Sequence, residues 1–181
     1  MPGFKPVIIA AMEILVWPPG SLSWNGNAMR CALGRGGIGA DKKEGDGVTP
    51  LGCFPLRRVM YRADRLQAPK TGLEVRALGP DDGWCDDPRE DSYNRLISLP
   101  FSGSNETLWR QDHVYDVIIE LGYNDDPVRS GLGSAIFLHV AKPDYGPTEG
   151  CVTLGLEDLL ALLEPCDETA RLTVTLRPPS Q

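Results

Sequence analysis

Ser134-Ala135-Ile136-Phe137-Leu138-His139-Val140, followed after a loop by Cys151-Val152-Thr153-Leu154, is the stretch on which a reading of the fold turns. Both runs have the β-branched and aromatic composition of strands. Upstream, Val114 to Leu121 (VYDVIIEL) reads the same way, and downstream Arg171 to Leu176 (RLTVTL) alternates like a closing strand. Between them, Leu156 to Leu163 (LEDLLALL) spaces its leucines as a helix does, with Pro165 placed to stop it. Near the start, Val7 to Trp17 is apolar and β-branched, and Ser21 to Trp24, Asn25-Gly26 and Asn27 to Leu33 form a hairpin pattern. Asn-Gly supplies the positive φ values of a type I′ turn. Gly34 to Gly52, rich in glycine and holding Pro50, is expected to be an ordered loop between strands. Leu66 to Asn105 mixes proline, glycine and acidic residues with few periodic apolar positions, which predicts a long irregular insertion beside a functional cleft. The result is a mainly β fold, with one or two short helices, in a single domain over residues 1–181.

Composition narrows the function. Eighteen basic against 25 acidic residues give a formal charge of -7, with the arginines scattered, so nucleic acid and anionic membrane are poor partners. No run approaches about 18 apolar residues, the length of a membrane-spanning helix. The apolar start, Val7 to Met12, is interrupted by Glu13 and followed by Trp17-Pro18-Pro19 without a small-residue cleavage site. A cytoplasmic location is therefore expected, with a periplasmic one if the true N-terminus is longer. The five cysteines, Cys31, Cys53, Cys85, Cys151 and Cys166, lie far apart, with no CxxC pair and no zinc spacing. No metal and no cofactor is expected. All five cysteines are expected to be reduced, four of them as small core or half-buried residues.

Only two histidines occur, His113 and His139, so a histidine-dependent mechanism has few candidates. His113 is expected at a strand entrance in an exposed or structural role. His139 ends an apolar strand, and Cys151 follows 12 residues later in Thr148-Glu149-Gly150-Cys151, room for strand, loop and return. A thiol with its ordinary pKa of about 8.5 is a weak nucleophile at neutral pH, and an imidazole in reach would take its proton. Backbone N–H groups around Gly150-Cys151 would hold the oxyanion. Tyr123-Asn124 follow a strand and are candidate cleft residues, although turn formation explains them equally. Trp84, Tyr93 and Asn94 in the insertion read better as an anchor against the core than as a substrate cover.

Residues Glu44-Gly45-Asp46-Gly47-Val48-Thr49-Pro50-Leu51-Gly52-Cys53-Phe54 resemble the G-D-G-x-T-P-x-G-x-F segment of the L,D-transpeptidase catalytic-domain (YkuD-like) family. The strand ending in His139, then a loop and Thr148-x-Gly150-Cys151, resembles that family's His…Ser/Thr-x-Gly-Cys signature. The resemblance implies a β-sandwich or barrel-like domain in which Cys151 is the acylated nucleophile, His139 its base and Gly150 part of the catalytic turn. Thr148 and Glu149 beside the cysteine are, with Tyr123 and Asn124, the candidate substrate-binding residues. Departures are Glu149 where many members have His, Val140 where many have Gly, and Thr153 where Arg or Asn is common.

What the resemblance implies is attack on a peptidoglycan stem peptide or muropeptide at the L-centre of its diamino acid, release of D-alanine, and a thioester. Water as acceptor makes an L,D-carboxypeptidase, and a second stem amine makes an L,D-transpeptidase. The start of the chain favours water and a role in cell-wall recycling. A peptidoglycan-binding module that has lost its chemistry is the alternative of another class. Oligomeric state is not legible.

Overall fold

A computed structural model describes residues 12–180, and the expected strand residues before Met12 lie outside that range. The N-terminal half carries strands Glu13–Trp17 (β1), Ser21–Trp24 (β2), Asn27–Arg30 (β3), Ile38–Gly39 (β4), Thr49–Pro50 (β5) and Gly52–Tyr61 (β6). The middle carries Glu74–Ala77 (β7), Asp82–Cys85 (β8), Leu96–Ser98 (β9) and Asn105–Thr107 (β10). Val117–Leu121 (β11), Phe137–Val140 (β12), Val152–Leu154 (β13), the helix Leu156–Leu163 (α1) and Arg171–Val174 (β14) complete the chain. The mainly β expectation holds.

The main sheet runs in the order β13-β12-β11-β6-β14-β1-β2-β3, with β7 also on β6. Its two ends nearly meet. Just past β3, Ala32 exchanges backbone hydrogen bonds with Thr153 of β13 (3.1 and 3.0 Å), and Gly34 bridges Thr148, giving a nearly closed, barrel-like wall. Closure removes most of the exposed edge such a sheet would present. The hairpin β2-β3 pairs Trp24 with Asn27 around Asn25 (φ 47°) and Gly26 (φ 77°), the left-handed pair that a type I′ turn needs. Helix α1 begins where Gly155 leaves its strand and carries Glu157 and Asp158 in its first turn, where the helix dipole favours acids. It buries Leu159, Leu162 and Leu163 completely in the barrel core, each contributing roughly 1.5–3 kcal/mol.

Three adjacent strands, β11, β12 and β13, are buried on both faces, as is the Val59-Met60 end of β6, and this places the site. Along β11, Val117, Ile119 and Leu121 point into the barrel core, while Ile118 points outward into a second cluster with Met60, Phe137 and Cys151. Register then carries the alternation across the sheet: Met60 faces Ile118, Ile118 faces His139, and His139 faces Thr153. A sheet buried on both sides needs a cover. Residues 66–105 supply it, and here the structure is more ordered than the expected irregular insertion. Strand β7 adds to β6, and β8 and β9 join β10 in a separate three-stranded sheet. Leu78, Trp84 and Leu108 close over the outer cluster, with the Trp84 ring edge-on to Phe137 at 5.0 Å. The covering residues are single and widely spaced, so no period reveals them in the sequence.

Candidate active site

The segment Glu44 to Gly52 is the floor under the Gly150-Cys151 turn. The Asp46 carboxylate accepts from its own loop, at Lys43 N (2.6 Å) and Val48 N (2.9 Å), and so fixes the turn. Buried Thr49 accepts the Gly34 N–H through Oγ1 at 2.8 Å, tying the loop to the strand end that bridges Thr148. The backbones then approach too closely for side chains. A Cβ on Gly34 would lie 2.1 Å from the Gly47 carbonyl oxygen, and one on Gly150 would lie 2.8 Å from that of Val48. Gly150 also holds φ 134°, which disfavours other residues. Thr148 Oγ1 donates to the Cys151 carbonyl oxygen (2.7 Å) and accepts the Gly150 N–H (3.1 Å), so that amide is already spent.

Parallel pairing of β12 with β13 sets Leu138 beside Val152 and His139 beside Thr153, so one step back Cys151 lies beside Phe137. Cys151 and His139 thus stand on the same outer face, one diagonal apart, a spacing of about 7–8 Å between backbones. Both line one cavity of about 480 Å³. The Cys151 thiol accepts the Phe137 N–H at 3.3 Å and donates to the Ala135 carbonyl oxygen at 3.2 Å. His139 Nδ1 lies 3.1 Å from the Val114 carbonyl oxygen and 3.0 Å from that of Val140. Carbonyls only accept, so Nδ1 carries the hydrogen and Nε2 keeps a free lone pair. Tyr115 packs its ring edge-on to the imidazole at 4.9 Å.

Electrostatics keep the pair neutral at rest. Burial pushes the Cys151 thiol up to about 12, with the Glu106 carboxylate adding to the rise against the Phe137 N–H and the Lys42 charge. Burial likewise pulls His139 down to about 4, overriding the Val140 and Val114 carbonyls that favour its cation. Such a pair can perform base-assisted attack, the thiol giving up its proton only as sulfur bonds to carbon.

The other expected contacts divide. Thr148 lines the cavity, while Glu149 stands at its rim, largely exposed and paired with Arg35 at 2.9 Å. Tyr123 and Asn124 are not among the cavity residues. The Tyr123 hydroxyl donates to the Leu132 carbonyl oxygen, and Asn124, at φ 47°, ties Arg129 and Gly133 together, so both brace a loop. The turn reading explains them. Trp84 anchors the cover as expected, its indole N–H donating to Asn94 Oδ1 at 3.0 Å. His113 is exposed and contacts Asp116 at 2.7 Å. Cys31, Cys85 and Cys166 are buried, but Cys53 is exposed on β6, contrary to the core or half-buried expectation.

Glu44, the first residue of the quoted motif, reaches the cavity wall, while sequence reasoning missed Lys42, Glu106, Arg110 and Tyr115 there. Lys42 sits two residues before the quoted motif, the nearest thing to a signal. Glu106 and Tyr115 meet only through the fold, the Tyr115 hydroxyl donating to Glu106 Oε1 at 2.6 Å.

Comparison with known proteins gives a consistent frame. The family model for the L,D-transpeptidase catalytic domain (YkuD) matches residues 7–174. No curated protein matches the chain. Among solved structures, a point mutant of the helical cell shape determining protein Pgp2 from Campylobacter jejuni aligns with a TM-score of 0.50 at 15% identity, over 93% of this chain and 48% of that one. L,D-transpeptidase 1 of Mycobacterium tuberculosis aligns at 0.41 and 13%, over 91% and 59%. The L,D-transpeptidase from Mycobacterium smegmatis aligns at 0.41 and 11%, over 91% and 58%. The chain spans about half the length of the Campylobacter protein. At 15% identity the likeness to the Campylobacter protein is one of fold.

Proposed function

This chain belongs to the L,D-transpeptidase catalytic-domain family, and from that premise we propose that it is a cysteine acyl-transfer enzyme on peptidoglycan stem peptides, with Cys151 as nucleophile and His139 as base. The observation that carries the reading is the shared face of β12 and β13, which puts a buried thiol and an imidazole with a free Nε2 in one cavity.

The reaction begins with a thiol turned toward the Ala135 carbonyl. On substrate binding it swings to His139 Nε2, which takes the proton as sulfur attacks the carbonyl of the diamino acid's L-centre. With the Gly150 N–H held by Thr148, the Cys151 N–H is the amide of this turn left to stabilise the developing oxyanion. His139 then gives its proton to the leaving nitrogen of D-alanine, and a thioester remains on Cys151. Water, deprotonated by the same Nε2, attacks the thioester, releases the tripeptide and returns the thiol.

Water is our proposed acceptor, making the protein an L,D-carboxypeptidase of cell-wall recycling in the cytoplasm. A cavity of about 480 Å³ accommodates one stem-peptide end and supports a small acceptor. Incubation with a disaccharide-tetrapeptide, read by mass, tests this: tripeptide and free D-alanine are expected. A dimer with one D-alanine lost would make the protein a crosslinking transpeptidase. No turnover together with no covalent adduct from a carbapenem would leave a non-catalytic binding module.

A further inference from the structure

Lys42 is a buried cation that the mechanism above does not use. Its side chain is 3% exposed, it lines the same cavity as Cys151, and its Nζ donates to Asp46 Oδ1 at 2.9 Å. An ammonium carries three N–H donors. Among the described residues Asp46 is the only hydrogen-bond partner of Nζ, so two donors are left for the cavity. Asp46, for its part, shares its charge with the Lys43 and Val48 amides.

Two glycines make the space this side chain occupies. A Cβ on Gly133 would come 2.7 Å from Lys42 Cε, and a Cβ on Gly150 would come 3.3 Å from Nζ. The ammonium is therefore threaded to the Gly150-Cys151 turn, in the cavity that Cys151 lines. The other cavity cations are placed differently: Arg110 is held by Asp112 at 2.8 and 2.6 Å, and Lys142 is exposed. A buried cation with unspent donors next to a nucleophile is a standing site for an anion.

We propose that Lys42 clamps the free α-carboxylate of the residue that leaves, so that cleavage is confined to one residue from a chain end. The proposal rests on the acyl-transfer reading above and names the feature of the substrate that reading leaves open. In a peptide the attacked carbonyl carbon and the carboxyl carbon of the next residue are three bonds, roughly 3–4 Å, apart. A carboxylate held at the flank of the turn thus brings the scissile carbonyl to the sulfur. A substrate with its terminal carboxylate capped, or with a further residue attached, leaves the two remaining donors of the ammonium without an anionic partner.

The test compares a stem tetrapeptide with its C-terminal amide. Wild type is expected to prefer the free acid by roughly 10- to 100-fold in kcat/KM, the range of a charge-assisted hydrogen bond. Lys42→Met should bring the ratio to near one, and Lys42→Arg should restore part of it. An unchanged ratio in Lys42→Met overturns the clamp. Alkylation of Cys151 gives a second reading without turnover, the iodoacetate-to-iodoacetamide rate ratio falling by about tenfold in Lys42→Met; an equal ratio overturns the clamp. Should that variant not fold, wild type still decides. D-alanine is expected to slow iodoacetamide alkylation of Cys151 where D-alaninamide does not, and equal protection overturns the proposal. If wild type cleaves neither peptide, the acyl-transfer reading falls by itself, and the alkylation and protection measurements still judge Lys42.

Discussion

At the scale of single residues, burial governs the chemistry of Cys151 and His139. With its folded pKa drawn down to about 4, His139 is neutral across the physiological range. As a base it needs no deprotonation, so the acid limb of kcat/KM should lie well below pH 6.5. An inflection near 6.5 would mean a solvated imidazole. The same shift sets a stability term. The unfolded chain binds the proton at about 6.5 and the folded chain only near 4, so stability falls as pH drops through that window, by up to about 3 kcal/mol. Denaturant unfolding at pH 7 and at pH 4.5 should show a smaller difference in His139→Gln than in wild type. In the same variant kcat/KM should fall by roughly 10²–10⁴-fold, the usual contribution of a general base. The histidine and the cysteine were legible in the sequence because histidine is scarce and the run from His139 to Thr148-x-Gly150-Cys151 resembles the family signature. Their neutrality was not, since it comes from burial by distant segments, Val114 and Tyr115 against His139 and the cluster with Leu78 and Trp84 around Cys151.

Among elements, the loop from Gly34 to Gly52 is what shapes the nucleophile's turn. Gly34→Ala would drive a Cβ against the Gly47 carbonyl oxygen and should cost about 1–3 kcal/mol. Thr49→Val would leave the buried Gly34 N–H without its acceptor, at about 1–3 kcal/mol. Both should lower kcat/KM along with the melting temperature. Gly26→Ala is the contrast: it strains a residue at φ 77° in the remote β2-β3 hairpin, and should cost about 1 kcal/mol of stability while sparing kcat/KM. Equal losses of activity in all three would detach the loop from the site. The hairpin and α1 were readable because Asn25-Gly26 and the leucine spacing are local signals. The small sheet of β8, β9 and β10 was not, because its strands are three or four residues long and its burial depends on partners elsewhere in the chain.

For the whole molecule, one wall of strands serves two cores, which supports reading the chain as one folding unit. Leu159→Ala in the barrel core should cost about 2–5 kcal/mol, and Trp84→Ala in the insertion about 3–5 kcal/mol. Both should shift a single thermal transition, whereas an early second transition in Trp84→Ala would make the insertion a separate unit. The runs VYDVIIEL and SAIFLHV were legible as strands from their β-branched and aromatic composition, but not as strands buried on both faces. What covers the outer face had to be seen in the fold. The central claim is that this outer face holds a thioester on Cys151. Acid-quenching the protein during turnover of a disaccharide-tetrapeptide and weighing it intact tests that directly. The account predicts an acyl adduct lacking D-alanine, mapped to Cys151 and absent from Cys151→Ala. An adduct that survives Cys151→Ala, or release of D-alanine by that variant at the wild-type rate, would contradict it.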